Sequence, residues 1–152
     1  MLAVKRVRNL KQVVDPATDR PVRCTLRRCQ VAREMHQKPG RSSDQRTPRA
    51  AYYLLLRLGG DSHGVLDAVH RVVGTSQGPL DARRETLLVK LPHGGRRFLC
   101  RVADAEGYET CPYDLKAGQL VDAQLTFGGV WPGGDGYTWN VDQLMLLAAP
   151  RG

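Results

Sequence analysis

The sequence is poor in aromatic residues and has no long apolar run. It holds two Trp, five Tyr and two Phe, nine aromatic side chains in 152 residues. No apolar stretch approaches the roughly 18 residues that suggest a membrane span. The first residues, MLAVKRVRNLKQ, lack the apolar core of a secretory signal. We therefore expect no membrane partner and an intracellular protein, cytoplasmic or nucleoid/nuclear, that is not secreted.

Cysteine is also scarce, which argues against a small secreted domain held together by disulfides. The four cysteines fit reduced thiols. In CTLRRCQVAREMH, Cys24, Cys29 and His36 offer three potential zinc ligands, but no second cluster with suitable spacing supplies a fourth. The spacing favours buried or free thiols, and a zinc site at these three residues is left open as the alternative.

The sequence lacks the short motifs that mark the common catalytic sites. Patterns for phosphate-binding loops, dinucleotide binding, zinc proteolysis, serine hydrolysis and zinc deamination are all absent from the sequence. The acidic residues are scattered without a spacing that argues for a nuclease. We therefore expect a non-catalytic protein that needs no cofactor and no metal.

Acidic residues are few in the first third of the chain, and this makes the charge uneven. Residues 1–50 carry 13 Lys+Arg and 4 Asp+Glu, a balance of +9, whereas residues 51–152 carry 10 and 11, a balance of −1, and the two sum to the net charge of +8. Arginine accounts for 18 of the 23 basic residues, and its guanidinium suits bidentate phosphate contacts and stacking on flat rings. The asymmetry predicts a polyanionic partner, most simply nucleic acid, with a solvated basic face as the alternative.

Alternation of apolar and polar residues predicts a small, predominantly β domain, a barrel or a sandwich. A short helix over 65–73 would place Leu66, Val69, His70 and Val73 on one face. We expect a bulge at Arg27–Arg28 and a hairpin in which PHGG joins the predicted strands at 85–91 and 96–102. The strands are predicted at VRCTLRRCQVA (22–32), AYYLLLRL (51–58), ETLLVKL (85–91), RRFLCRV (96–102), QLVDAQLTF (119–127) and YTWNVDQLMLL (137–147).

The domain organisation follows from the same patterns. Residues 1–50 are interpreted as a basic, partly extended N-terminal region, composed of strands and a mobile loop at 36–49. Residues 51–152 are interpreted as the β-barrel core.

Four of the nine aromatic residues lie in FGGVWPGGDGYTWN, residues 127–140, around a glycine-rich hairpin tip. Phe127, Tyr137 and Trp139 share the strand parity of apolar neighbours, so a place in the core is one interpretation. Trp131 lies in the tip, where burial would need the loop to fold back. The alternative is a base-stacking platform, since an aromatic ring stacks on any base and glycine lets the backbone approach the strand.

The run LKAGQLVDAQLTFGGVWPGGDGYTWNVDQLMLL resembles the closing strands of phage- and virus-type single-stranded-DNA-binding proteins with an OB fold. The matching residues are Ala117–Gly118 at the strand entry, Val121 to Phe127 along the strand, Trp131 in the loop, and Gly136–Tyr137 with Trp139 at the return. The resemblance implies a small five-stranded OB-like barrel. It also implies cooperative, sequence-tolerant binding of single-stranded DNA in replication or recombination, without catalysis.

The candidate nucleic-acid-binding residues combine these aromatic side chains with arginines and a lysine on or beside predicted strands. They are Trp131, Tyr137, Trp139, Phe127, Arg23, Arg27, Arg28, Arg57, Lys90, Arg96, Arg97 and Arg101. Single-stranded nucleic acid, DNA rather than RNA, is the expected partner, and a homo-oligomer is left open. The alternatives are a capsid- or nucleoid-like assembly protein, in which the aromatic residues form subunit contacts, and an RNA-binding module.

Overall fold

The structure is a computed structural model, and its described residues form strands, an α-helix and a 3₁₀ turn. The structure describes residues 2–7, 10–39, 50–59, 64–73, 79, 85–94, 97–130 and 137–147. The strands are β1 (Ala3–Val7), β2 (Leu10–Asp15), β3 (Arg20–Pro21), β4 (Arg23–Pro39), β5 (Ala50–Arg57), β6 (Thr86–Leu91), β7 (His93–Gly94), β8 (Arg97–Phe98), β9 (Arg101–Ala103), β10 (Leu120–Val130) and β11 (Tyr137–Leu146); the helix α1 is Gly64–Val73 and the 3₁₀ turn is Pro112–Asp114.

Five of the strands close into a barrel. The pairing runs β10-β4-β5-β6-β11 and returns to β10. All neighbours are antiparallel except β6 and β11, which run parallel and meet at Lys90 and Asn140. The fold is therefore mainly β, with the small OB-like barrel that was predicted.

Strict alternation of side chains creates the barrel interior. Along β10, Val121, Ala123 and Leu125 are buried while the residues between them face outward. Along β6, Leu87, Val89 and Leu91 are buried in the same way. Because successive side chains of a strand point to opposite faces, each barrel strand contributes one apolar row to a single core. The predicted strands at 51–58, 119–127 and 137–147 are confirmed to within a few residues.

The long strand β4 bends between two neighbours. Its first half pairs with β10, from Arg23 to Gln30, and its second half pairs with β5, from Gln30 to Pro39. The bend is at the predicted bulge, since Arg27 and Arg28 together oppose a single residue of β10 and Arg28 has a φ of 55°. β4 is thus a full barrel strand, and the predicted boundary between residues 50 and 51 is wrong because it would cut the barrel.

The remaining N-terminal residues form an antiparallel β1–β2 hairpin outside the closed ring. It attaches to the barrel where Lys11 pairs with Val130. The predicted loop at 36–49 is corrected in part, because β4 continues to Pro39. Residues 40–49 lie outside the described residues.

The helix α1 matches the predicted helix at 65–73. Its apolar face buries Leu66 and Val69, and His70 is half-buried at the boundary, as expected from its place in the pattern. Among the described residues there is no helix of the length and apolar character needed to cross a bilayer.

The predicted hairpin between 85–91 and 96–102 is wrong. β6 pairs with β5 and β11 instead, and the short hairpin is formed by β7 and β8, where His93 pairs with Phe98. β9 then runs parallel to β11. The chain therefore does reverse after β7, but β9, which follows β8, pairs with β11 and not with β6.

Candidate functional site

The aromatic residues of the 127–140 segment that the structure describes lie in the core. Trp139 is 0 %, Phe127 2 % and Tyr137 3 % exposed. The Phe127 and Trp139 rings meet in a T-shaped contact with centroids 5.7 Å apart. A ring enclosed in this way has no free face, so the assignment of these three residues to base stacking is corrected to a packing role. Trp131 lies outside the described residues.

Tyr137 shows how this end of the barrel is closed. Its hydroxyl lies 3.0 Å from Nδ1 of His70 on α1, so the helix covers the barrel end next to the start of β11. Burial, followed by the nearby Asp67 carboxylate, raises the pKa of Tyr137 to about 12. The hydroxyl therefore stays protonated at neutral pH, as a structural group between helix and barrel.

Arg23, Arg27 and Arg28 are exposed on the half of β4 that pairs with β10. The backbone N–H of Arg28 donates to Oδ1 of Asp122 at 2.9 Å, which holds the bulge in place. These three arginines form a basic strip. Arg57 and Lys90 lie on other strands, β5 and β6.

The outer side of β4, β5 and β6 carries cations and rings in register. We define the β4–β6 face as the outward-pointing residues Arg33, His36, Tyr53, Leu55, Arg57, Leu88 and Lys90. Tyr53 pairs with His36 on one side and with Lys90 on the other. The His36 and Tyr53 rings are stacked, with centroids 6.0 Å apart and planes inclined by 29°. One row across three strands thus presents an imidazole, a phenol ring and an ammonium group.

Two further rows continue this face along the strands. In the next row Arg33 pairs with Leu55, which pairs with Leu88, and beyond it Arg57 pairs with Gln30 and Thr86. Arg33 and Arg57 are exposed, whereas Leu55 and Leu88 are half-buried. Nη2 of Arg33 donates to Nε2 of His36 over 3.4 Å. The face therefore combines fixed positive charge with flat and apolar surface.

A second cluster of rings lies at the mouth of the barrel. We define the aromatic rim as Tyr52, His93, Phe98 and Tyr113. Tyr52 lies 4.9 Å from both His93 and Phe98, and Tyr113 lies 5.6 Å from Phe98, measured between ring centroids. The hydroxyl of Tyr113 is within hydrogen-bonding reach of the Tyr52 side chain, which is the main reason that the pKa of Tyr113 is raised.

Arg97 and Arg101 line a groove of about 500 Å³ beside the aromatic rim, together with Phe98, Glu109 and Pro112. Both arginines are exposed. Arg96, the remaining predicted cation of this segment, lies outside the described residues. Sequence reasoning missed the rim because its members come from separate segments, and the Tyr52–Tyr53 pair was the one local signal for it.

The three potential zinc ligands do not converge. Cys24 and Cys29 are buried on the inner side of β4, whereas His36 pairs with Tyr53 on the outer side. Burial, and then the proximity of Cys29, raises the pKa of Cys24 to about 11. Within the described part of the chain no three His, Cys, Asp or Glu side chains are grouped so that they could hold a metal ion.

Comparison with known proteins adds no family to this description. No family model, no curated protein and no solved structure matches the chain.

Proposed function

We propose that the chain binds single-stranded nucleic acid, with DNA preferred over RNA, and that it does so without catalysis. OB folds bind oligonucleotides on the face of their second and third strands and on the adjoining loops. In this barrel the second and third strands in chain order are β5 and β6. The segments at the corresponding places in the chain, residues 40–49 and 131–136, lie outside the described residues.

The observation that carries the proposal is the set of rings and cations on the β4–β6 face. Tyr53 lies in register between His36 and Lys90, and Arg33 and Arg57 lie in the next two rows. A ring stacks on any base, and the cations neutralise phosphates, so this combination is suited to a strand of any sequence. We extend the proposal to a role in replication or recombination, which the resemblance of the 115–147 segment to single-stranded-DNA-binding proteins implies. Trp131, which lies outside the described residues, remains a predicted stacking residue.

The proposal is tested by fluorescence anisotropy with labelled dT oligomers, duplex DNA and RNA at low salt. We expect Tyr53→Ala to weaken oligomer binding by about 5- to 150-fold, since stacking contributes roughly 1–3 kcal/mol per base. Tyr53→Phe is the matched control, because it keeps the ring and removes only the hydroxyl, and should bind within about twofold of the natural protein.

Other outcomes would redirect the proposal. Tighter binding of duplex than of single strands would argue against a stacking face. Tighter binding of RNA than of dT oligomers would favour the RNA-binding alternative. Large oligomers in the absence of nucleic acid, together with no binding of any polymer, would favour the assembly protein.

A further inference from the structure

The aromatic rim exposes a ring that the barrel does not need for packing. Tyr113 is 63 % exposed, whereas the core aromatic side chains are enclosed. Its contacts with Phe98 and Tyr52 are both T-shaped, with planes at 71° and 88°. Because these contacts are edge contacts and the side chain is largely solvent-exposed, a flat surface of the phenol ring remains open.

The position of Tyr113 is set by its surroundings. It lies in the 3₁₀ turn Pro112–Asp114, in which the Asp114 N–H donates to the Cys111 carbonyl at 2.9 Å. Its ring contacts those of Tyr52 and Phe98, with centroids 6.2 and 5.6 Å away. A ring held in this way loses little conformational freedom when a ligand stacks on it.

Positive charge adjoins this ring. Arg97 and Arg101 line the groove that also contains Phe98 and Pro112, the neighbours of Tyr113 in space and in the chain. Glu109 lines the same groove and offsets part of their charge. An open ring beside two guanidinium groups matches a base with its phosphate, since arginine donates paired hydrogen bonds to phosphate oxygens.

Residues of the rim also follow closely, along the chain, on residues of the β4–β6 face. Tyr52 and Tyr53 are consecutive in β5, and consecutive Cα atoms are about 3.8 Å apart. Tyr53 points outward, while Tyr52 packs at the barrel mouth with the rim. Lys90 of β6 belongs to the face, and His93 of β7, three residues later in the chain, belongs to the rim. A nucleic-acid strand that is bound at Tyr53 and Lys90 therefore reaches the rim within a short distance.

We propose that the aromatic rim and its groove form a second nucleotide subsite, in which Tyr113 stacks on a base and Arg97 and Arg101 bind the flanking phosphate. This inference rests on the proposed function. It extends the bound strand from the β4–β6 face to a surface formed by Tyr52 and residues that follow β6. The ligand is a nucleotide of the same strand.

The test measures the affinity of dT oligomers of about 4, 8 and 16 nucleotides, which span the site sizes of single OB folds. We expect Tyr113→Ala to weaken the longest oligomer by at least about fivefold, the lower limit for one stacked base, and the shortest oligomer by less. Tyr113→Phe keeps the ring and should bind within about twofold of the natural protein. Glu109→Gln removes the offsetting carboxylate and should tighten binding of the longest oligomer.

Tyr108→Ala is the matched control. Tyr108 is 72 % exposed in the same connecting segment, and it makes none of the ring contacts of the rim. Equal affinities of Tyr113→Ala and Tyr108→Ala at all lengths would overturn the subsite. If Tyr53→Ala still weakened binding in that case, the proposed function would stand without it. An equal loss at all three lengths would contradict the placement of the rim beyond the primary face, and failure of every oligomer to bind the natural protein would overturn both proposals.

Discussion

The cations of the β4–β6 face predict a defined salt dependence of binding. The face carries three permanent positive charges, Arg33, Arg57 and Lys90. Each phosphate contact with a single strand contributes about −0.7 to the slope of log affinity against log salt concentration. Three contacts give a slope of about −2.1, which corresponds to a roughly 18-fold loss of affinity between 50 and 200 mM salt.

The perturbation is the double substitution Arg57→Gln with Lys90→Gln. It removes two of the three charges, so the slope should become shallower by about 1.4 and the contribution of this face to the loss should fall to about 2.6-fold. Additional phosphate contacts elsewhere, at the aromatic rim or the basic strip, would steepen both slopes equally. The difference between the two proteins therefore does not depend on the total number of contacts.

The assay is anisotropy of a labelled dT oligomer of about 16 nucleotides at four salt concentrations, with the unfolding transition of each variant measured to confirm that it folds. Arg20→Gln is the matched control. Arg20 is exposed in β3, which pairs with β2 on the far side of β10 from β5 and β6. Its slope should equal that of the natural protein. The reasoning is refuted if the double variant keeps the natural slope, or if it loses affinity with no change in slope.

Two further predictions concern the barrel itself. Gly128→Ala should destabilise the fold by about 1–3 kcal/mol, as overpacking does, because an added Cβ would collide with Oγ1 of Thr138. The midpoint of urea unfolding should therefore be lower in this variant. It should recover in part when Thr138→Ala is added. The pKa of Cys24 is raised to about 11 from an ordinary 9.0, so the folded state favours the neutral thiol. The resulting stabilisation is fully present below about pH 9 and is lost as the pH rises towards 11. Urea midpoints measured from pH 8 to 11 should fall over that interval, and Cys24→Ala should flatten the fall; an equal decline in the variant would show that Cys24 is not its source.

The resemblance to single-stranded-DNA-binding proteins and the structure agree at the level of the barrel. The segment that carries the resemblance forms β10 and β11, which pair with each other and close the ring. Of the aromatic residues that gave the resemblance its functional meaning, Phe127, Tyr137 and Trp139 are enclosed in the core, and Trp131 lies outside the described residues. The support for nucleic-acid binding therefore moves to a different face of the same fold.

The strands and the bulge could be predicted because their signals are local. A period of two marks a strand with one buried face, and 120–130 and 137–146 carry that period almost without interruption. The extra residue at Arg27–Arg28 breaks the period, and a broken period is what a bulge requires. The helix at 64–73 was equally visible, because its apolar residues recur with helical spacing.

Strand partners could not be predicted in the same way. The RRFLCRV segment has the composition of a hairpin partner for β6, but β9 instead lies parallel to β11. Parity shows which residues share a face but not whether that face lies inside a closed barrel. Phe127, Tyr137 and Trp139 were therefore assigned correctly to one face, and only ring closure decided that this face is the core.

The two candidate surfaces depend on tertiary structure to an unequal degree. Arg57 and Lys90 were identified from the sequence, since a charged residue in an apolar strand must point outward. Their alignment with Tyr53 and His36 depends on the register of three strands. The aromatic rim has no local signature, because Tyr52, Phe98 and Tyr113 are far apart in the chain and meet only when the barrel mouth forms. Local periodicity thus specifies strands and their faces, whereas a binding surface built from several segments exists only after long-range pairing has brought those segments together.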